Sequence, residues 1–129
     1  MRAVTAAAAL GLCLWLASGA LAQSLTPMER SGTTPSDIKG FKLLVGNPYP
    51  RRMTFIVLPM DTAFTELAAD ATARPGRVTI APGHARSVIV AFKIDPNHKE
   101  RTIGLCIVPE DFHGPILPRV CGRYTGLMR

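Results

Sequence analysis

Cysteine is scarce in this sequence of 129 residues, with three copies at positions 13, 106 and 121 and no C-x-x-C spacing among them. A thiol pair tuned for redox chemistry is therefore not expected. Acidic residues number nine against fifteen lysines and arginines. The one adjacent acidic pair after the leader, Glu110-Asp111, sits in a loop pattern. Neighbours in a loop do not face each other across a substrate as an acid and a base must. There is no G-x-S-x-G elbow, no glycine-rich phosphate loop, no internal repeat and no low-complexity run, so catalysis is not expected. The apolar core Ala6 to Leu16 is too short to span a membrane as an ordinary helix, and no later stretch reaches the roughly 18 to 20 uncharged apolar residues that a spanning helix needs. Aromatics make up 6%, and the basic residues are scattered, with only Arg51-Arg52 adjacent. Nucleic-acid binding wants a basic stripe with exposed stacking rings, and neither is evident. The excess positive charge supports a weak preference for acidic partners or an anionic surface.

The first residues read as an address. Met1-Arg2 is a short basic start, Ala6 to Leu16 is an apolar core, and Ala20-Leu21-Ala22 is an A-x-A cleavage signal. Residues 1–22 are expected to leave, and residues 23–129 to form one small domain. Loss of Arg2 takes the formal charge from +6 to +5. Loss of Cys13 leaves Cys106 and Cys121. The mature chain should be exported, to a periplasm or, alternatively, to the medium.

Within that domain the dominant signal is alternation at period two, punctuated by proline and glycine. Residues 23–40 are polar and turn-rich, an arm or a first edge strand. Phe41, Leu43 and Val45 share one strand face, and Gly46 to Arg52 closes that strand with dense turn chemistry. Met53, Phe55 and Val57 share the face of a second strand, expected to end at Pro59. Asp61 to Ala73 is ambiguous, either a helical turn capped by Asp61 or a loop with a short edge strand. Val78 and Ile80, then Val88, Val90, Phe92 and Ile94, alternate on either side of an Ala81-Pro82-Gly83-His84 turn. A strand over Thr102–Val108 and a last one over Ile116–Tyr124 complete the pattern. Six or seven short β-branched strands predict an all-β antiparallel sandwich.

If the last two strands form a hairpin, a register in which residue numbers sum to 227 sets Cys106 opposite Cys121. It also sets Leu105 against Gly122, Ile107 against Val120 and Ile103 against Tyr124, so that apolar partners coincide. Both cysteines then point away from the interior face. A non-hydrogen-bonded antiparallel pair brings Cα atoms to about 4.5 Å, close enough to bridge. An exported chain with two cysteines is expected to oxidise them. Closing a loop of about 15 residues contributes about 3 kcal/mol in the chain-entropy model.

The remaining chemistry is sparse. His84, His98 and His113 fall in turns or loops without ligand spacing. Cys106, His113 and the upstream His84 faintly resemble the ligand set of blue-copper proteins. However, six residues separate Cys106 from His113, Ile116 and Leu117 stand where an axial methionine should follow, and Cys121 competes for the sulfur. Glu110, Asp111 and His113 would be the members of any unrecognised enzymatic site.

Several segments resemble the N-terminal immunoglobulin-like domain of the periplasmic pilus chaperone family. Leu25-Thr26-Pro27-Met28 is similar to its first-strand opening, and Phe41 to Pro48 to its strand running into an Asn-Pro turn. Val78-Thr79-Ile80-Ala81-Pro82-Gly83 followed by Arg86 to Val90 is similar to its strand, Pro-Gly turn and strand. Lys99-Glu100-Arg101 before a strand ending in Val108-Pro109-Glu110 is similar to its next element. The resemblance implies an immunoglobulin-like β-sandwich with a chaperone-like or accessory role in envelope or pilus assembly. Its partner would be another envelope protein, bound by edge-strand addition. The family's last strand in this domain is long and alternately apolar, whereas Ile116–Tyr124 is interrupted by Pro118, Arg119, Gly122 and Arg123. The family's second domain, and the basic cleft between domains, are expected to be missing from a chain of this length, so no binding residue is carried over. The reading is thus a non-enzymatic module with no cofactor, no metal ligand and a Cys106–Cys121 bridge. A small metal- or ligand-binding periplasmic sandwich with a cupredoxin-like copper site is the alternative.

Overall fold

Alternating apolar residues can bury one face of a strand only if a second sheet covers them, and this chain supplies two such sheets. The computed structural model describes residues 22–129, so the expected leader lies outside the described residues but for Ala22. Nine strands follow in order: β1 (Ser24–Thr26), β2 (Glu29–Thr34), β3 (Ile38–Gly46), β4 (Met53–Met60), β5 (Ala71–Arg74), β6 (Arg77–Ile80), β7 (Ala85–Lys93), β8 (Glu100–Pro109) and β9 (Val120–Met128). The first sheet has the order β1-β3-β7-β5 and the second β2-β9-β8-β4-β6. Phe41, Leu43 and Val45 of β3, Val88, Val90 and Phe92 of β7, Phe55 and Val57 of β4, and Ile103, Leu105 and Ile107 of β8 meet between the sheets, all buried. Each such side chain contributes about 1.5 to 3 kcal/mol by leaving water.

Nine strands, not about seven, make the sandwich. The additional ones come from the segments that alternation describes least well. The turn-rich stretch 23–40 is no loose arm: it forms β1 and β2, on opposite sheets. Pro27, which has no N–H to give a ladder, stands where the chain leaves β3 and crosses to β9. There β2 runs parallel to β9, from Glu29 opposite Arg123 to Thr34 opposite Met128, so the sandwich is not purely antiparallel.

Pro59 does not end its strand. Beside it, β4 has already parted from β6, and the N–H of Val57 points away from β8 to the Gly76 carbonyl. Pro59 lies on the same side, so its missing N–H costs the β8 ladder nothing. Asp61 to Ala73 is the loop of the two readings, with one bridge (Met60 to Leu67) and then β5. Asp61 accepts from the Thr65 N–H at 2.9 Å, a turn rather than a helix cap. The last strand starts and ends four residues later than expected, at Val120 and Met128, because the 110–119 segment with its two prolines loops out first.

The β8–β9 register is the one expected, with Cys106 opposite Cys121, Leu105 opposite Gly122, Ile107 opposite Val120 and Ile103 opposite Tyr124. Cys106 and Cys121 are disulfide-bonded, their Cα atoms 4.1 Å apart. They lie on the outer face, yet Cys106 is fully buried. The 61–65 loop roofs that face: a Cβ at Gly104 would meet the Asp61 carbonyl and the Phe64 ring at 2.6 Å.

Candidate functional site

A two-sheet sandwich can bind through its edges and its outer faces, and here the edges are unequal. Three of the four outer strands are only three or four residues long, which limits their use as templates. Charge also occupies them. Arg77 of β6 pairs with Glu110, and the Thr54 and Thr79 hydroxyls bond at 2.7 Å. Beside β5, the Arg101 guanidinium donates to the Ala69 and Lys93 carbonyls at 2.7 and 2.8 Å.

The roof over the disulfide is bound the same way. Arg119 donates to the Phe64 carbonyl at 2.9 Å and Arg123 to that of Thr62 at 3.0 Å. The Arg123 guanidinium lies 4.6 Å over the Phe64 ring. Hydrogen bonds from the Thr65 backbone foremost, then the Thr65 hydroxyl, hold the Asp61 carboxyl below its usual value. Phe64 adopts φ 58°, a left-handed conformation unusual for a ring-bearing residue.

The edge of β9 is different. On the side away from β8 it gains a neighbour only from Arg123 onward, where β2 begins to pair and the Met28 carbonyl accepts from the Arg123 N–H. Ahead of that point, Ile116 and Leu117 are 78% and 56% exposed. This pole is anchored from below by two buried polar side chains. Gln23 donates to the carbonyls of Ile107 (3.1 Å) and Pro118 (2.7 Å) and accepts from the Tyr49 hydroxyl. Asn47 donates to the carbonyls of Arg51 and Ile80 at 2.9 and 2.8 Å and accepts from the Tyr49 N–H. Tyr49 packs on Phe112 with ring centroids 6.4 Å apart. Neither Gln23 nor Asn47 stands out as functional in the sequence. Asn47 is signalled only by its place before Pro48 in a turn, and Gln23 by nothing.

The candidates for other chemistry do not come together. The bridge to Cys121 removes Cys106 as a thiolate ligand, and among the described residues no three His, Cys, Asp or Glu side chains are grouped to hold a metal ion. His84, His98 and His113 are all exposed. His98 contacts Asp95 at 2.9 Å, and that aspartate is held below its usual value by the Asn97 backbone N–H foremost, then by His98. Glu110 faces Arg77 rather than His113.

No family model matches the chain, and no curated protein matches it either. Solved structures do. A chain of the Salmonella enterica SafA pilin–SafB chaperone complex superimposes with a TM-score of 0.66 at 12% identity, over 87% of this chain and 57% of that one. The E. coli chaperone DraB gives 0.64 at 12% identity, over 83% and 55%. SSP-19, an MSP-domain-like protein of Caenorhabditis elegans, gives 0.56 at 9% identity over 81% and 98%. The chain spans little more than half the length of the chaperone chains it matches. The fold is therefore the immunoglobulin-like sandwich of pilus chaperones, and the resemblance read from the sequence holds at that level. No helix among the described residues is long and apolar enough to cross a membrane.

Proposed function

We propose that this chain, exported to the periplasm with loss of residues 1–22, is a non-enzymatic, chaperone-like accessory module of pilus or envelope assembly. It binds another envelope protein by edge-strand addition. One observation carries the reading: the segment Ile116–Cys121, which presents two exposed aliphatic side chains and lies outside the β2 ladder. An extended segment of a partner laid beside it meets the two apolar side chains and, on the side away from β8, main-chain groups outside any ladder, the Pro118 carbonyl alone being taken by Gln23. The likeness to the SafB and DraB chaperones supports the setting in the envelope.

The test is a pull-down of tagged mature protein from its native cell envelope, identified by mass spectrometry, beside an Ile116→Asp/Leu117→Asp variant. Both positions are exposed, so the variant should melt within a few degrees of the parent. Enrichment of one envelope protein by the parent, and its loss from the variant, is the expected result. Retention of that protein by the variant, or no enriched envelope protein at all, overturns the proposal.

A further inference from the structure

The acidic residues avoid one sheet altogether. The strands β1, β3, β5 and β7 contain no Asp or Glu, yet they carry Lys39, Lys42, Arg74, Arg86 and Lys93. Register decides which of these share the outer face. Lys42, Ile89 and Arg74 form one row across β3, β7 and β5, and Gly40, Ala91 and Thr72 form the next. Ile38 and Lys93 lie beyond it, and Leu44 lies on the opposite side of the Lys42 row. Leu44, Ile89 and Ile38 are 46%, 50% and 57% exposed, unlike the buried side chains on the inner face of the same sheet. Among the described residues, Lys42, Arg74 and Lys93 make no ion pair.

The rows give this face relief as well as charge. Gly40, Ala91 and Thr72 have short side chains or none, and a Cβ built on Gly40 would meet nothing closer than 3.8 Å. A shallow furrow therefore crosses the strands. Its walls are Ile89 with Lys42 and Arg74 on one side, and Ile38 with Lys93 on the other. Asp70 is the one carboxylate that lines it, beside Lys93, so the cations there outnumber it three to one.

We propose that this face is a second docking surface, distinct from the β9 edge, and that it receives an acidic, aliphatic segment of a partner protein lying across the strands. Aliphatic side chains of the segment enter the furrow against Ile89 and Ile38, and its carboxylates meet Lys42, Arg74 and Lys93. The furrow, with Ile89 and Ile38 on its walls and the low Gly40-Ala91-Thr72 row between them, suits a single extended segment better than the broad face of a lipid surface. A second copy of this chain would set lysine and arginine against lysine and arginine, an arrangement that like-charge repulsion disfavours.

The experiment is a titration of isotope-labelled mature protein with a peptide of alternating Leu and Glu, followed by amide chemical shifts. A Leu/Gln peptide and vesicles of mixed phosphatidylglycerol and phosphatidylcholine serve as the other arms. Shifts confined to the outer-facing residues of β3, β5 and β7, absent with the Gln peptide and weakened by salt, are expected. The Lys42→Glu/Arg74→Glu variant, with melting unchanged, should bind the Glu peptide roughly tenfold more weakly. Ile89→Ser should weaken it as well. Shifts scattered over the molecule, equal binding of the two peptides, or binding by vesicles without binding by the Glu peptide each refutes the proposal, the last in favour of a membrane.

Discussion

Tyr124 joins the two halves of the interior. Its ring lies 5.8 Å from that of Phe41 on the facing sheet, and its hydroxyl donates to the Pro27 carbonyl, where the chain crosses between sheets. Burial pushes its phenol from 10.0 to about 12. The native state therefore keeps a proton that the unfolded chain gives up, and stability should be complete below pH 10 and fall progressively as pH rises towards 12. Denaturant midpoints measured across that range should show the decline, and Tyr124→Phe should flatten it. The same change leaves the Pro27 carbonyl without its donor, at a cost of about 1 to 3 kcal/mol at neutral pH. The sequence places Tyr124 opposite Ile103 by register alone. The carbonyl it reaches is 97 residues away, and no periodicity encodes such a partner. The same holds for Gly104 and Gly122. Adding a Cβ to Gly122 would bring it against the Met28 carbonyl, but only the folded chain shows which atoms need that space.

At the scale of elements, legibility follows the strength of the alternation. β3, β4 and β7 each bury one clean face, and β8 is buried on its inner face and, at Gly104 and Cys106, on its outer face as well. Their positions can be read from single residues such as Phe41, Phe55, Val90 and Leu105. β1, β2 and β5 bury little, so what fixes them is a neighbour's free ladder rather than their own pattern. The parallel pairing of β2 with β9 is of this kind. Pro59 misleads for a related reason, because its effect depends on which side of the strand lacks a partner. The β3–β4 turn, by contrast, is marked by its asparagine. Asn47 is 2% exposed, and its amide satisfies the Arg51 and Ile80 carbonyls. Asn47→Ala should strand a buried acceptor and lower stability by about 1 to 3 kcal/mol, read from the denaturant midpoint. Amide exchange should accelerate first at Tyr49, whose N–H loses its acceptor. Unchanged exchange there would mean that the turn is held by other groups.

For the whole molecule, the two-layer architecture follows from many short apolar alternations that no single sheet could cover. The strand order does not, because both sheets join strands far apart in sequence, and pairing at such distance is chosen by the assembled core. The disulfide is the exception. Alignment of apolar partners across β8 and β9 is enough to set its register, and the bridge spans a separation of 15 residues around the exposed 110–119 loop. In the chain-entropy model that closure contributes about 3 kcal/mol, against the roughly 5 to 15 kcal/mol typical of a whole domain. Cys106→Ala/Cys121→Ala should therefore fold, since β8 and β9 keep their ladder and the core beneath is intact. Its denaturant midpoint should drop by an amount equivalent to about 3 kcal/mol. The site is buried at Cys106, so lost sulfur contacts under the 61–65 roof add to that closure effect. Adding a reductant to the parent separates the two parts, because it breaks the bond and leaves both sulfur atoms in place. A reduced parent as unstable as the double variant would assign the effect to closure alone. A reduced parent midway between the two would assign the remainder to packing beneath Phe64.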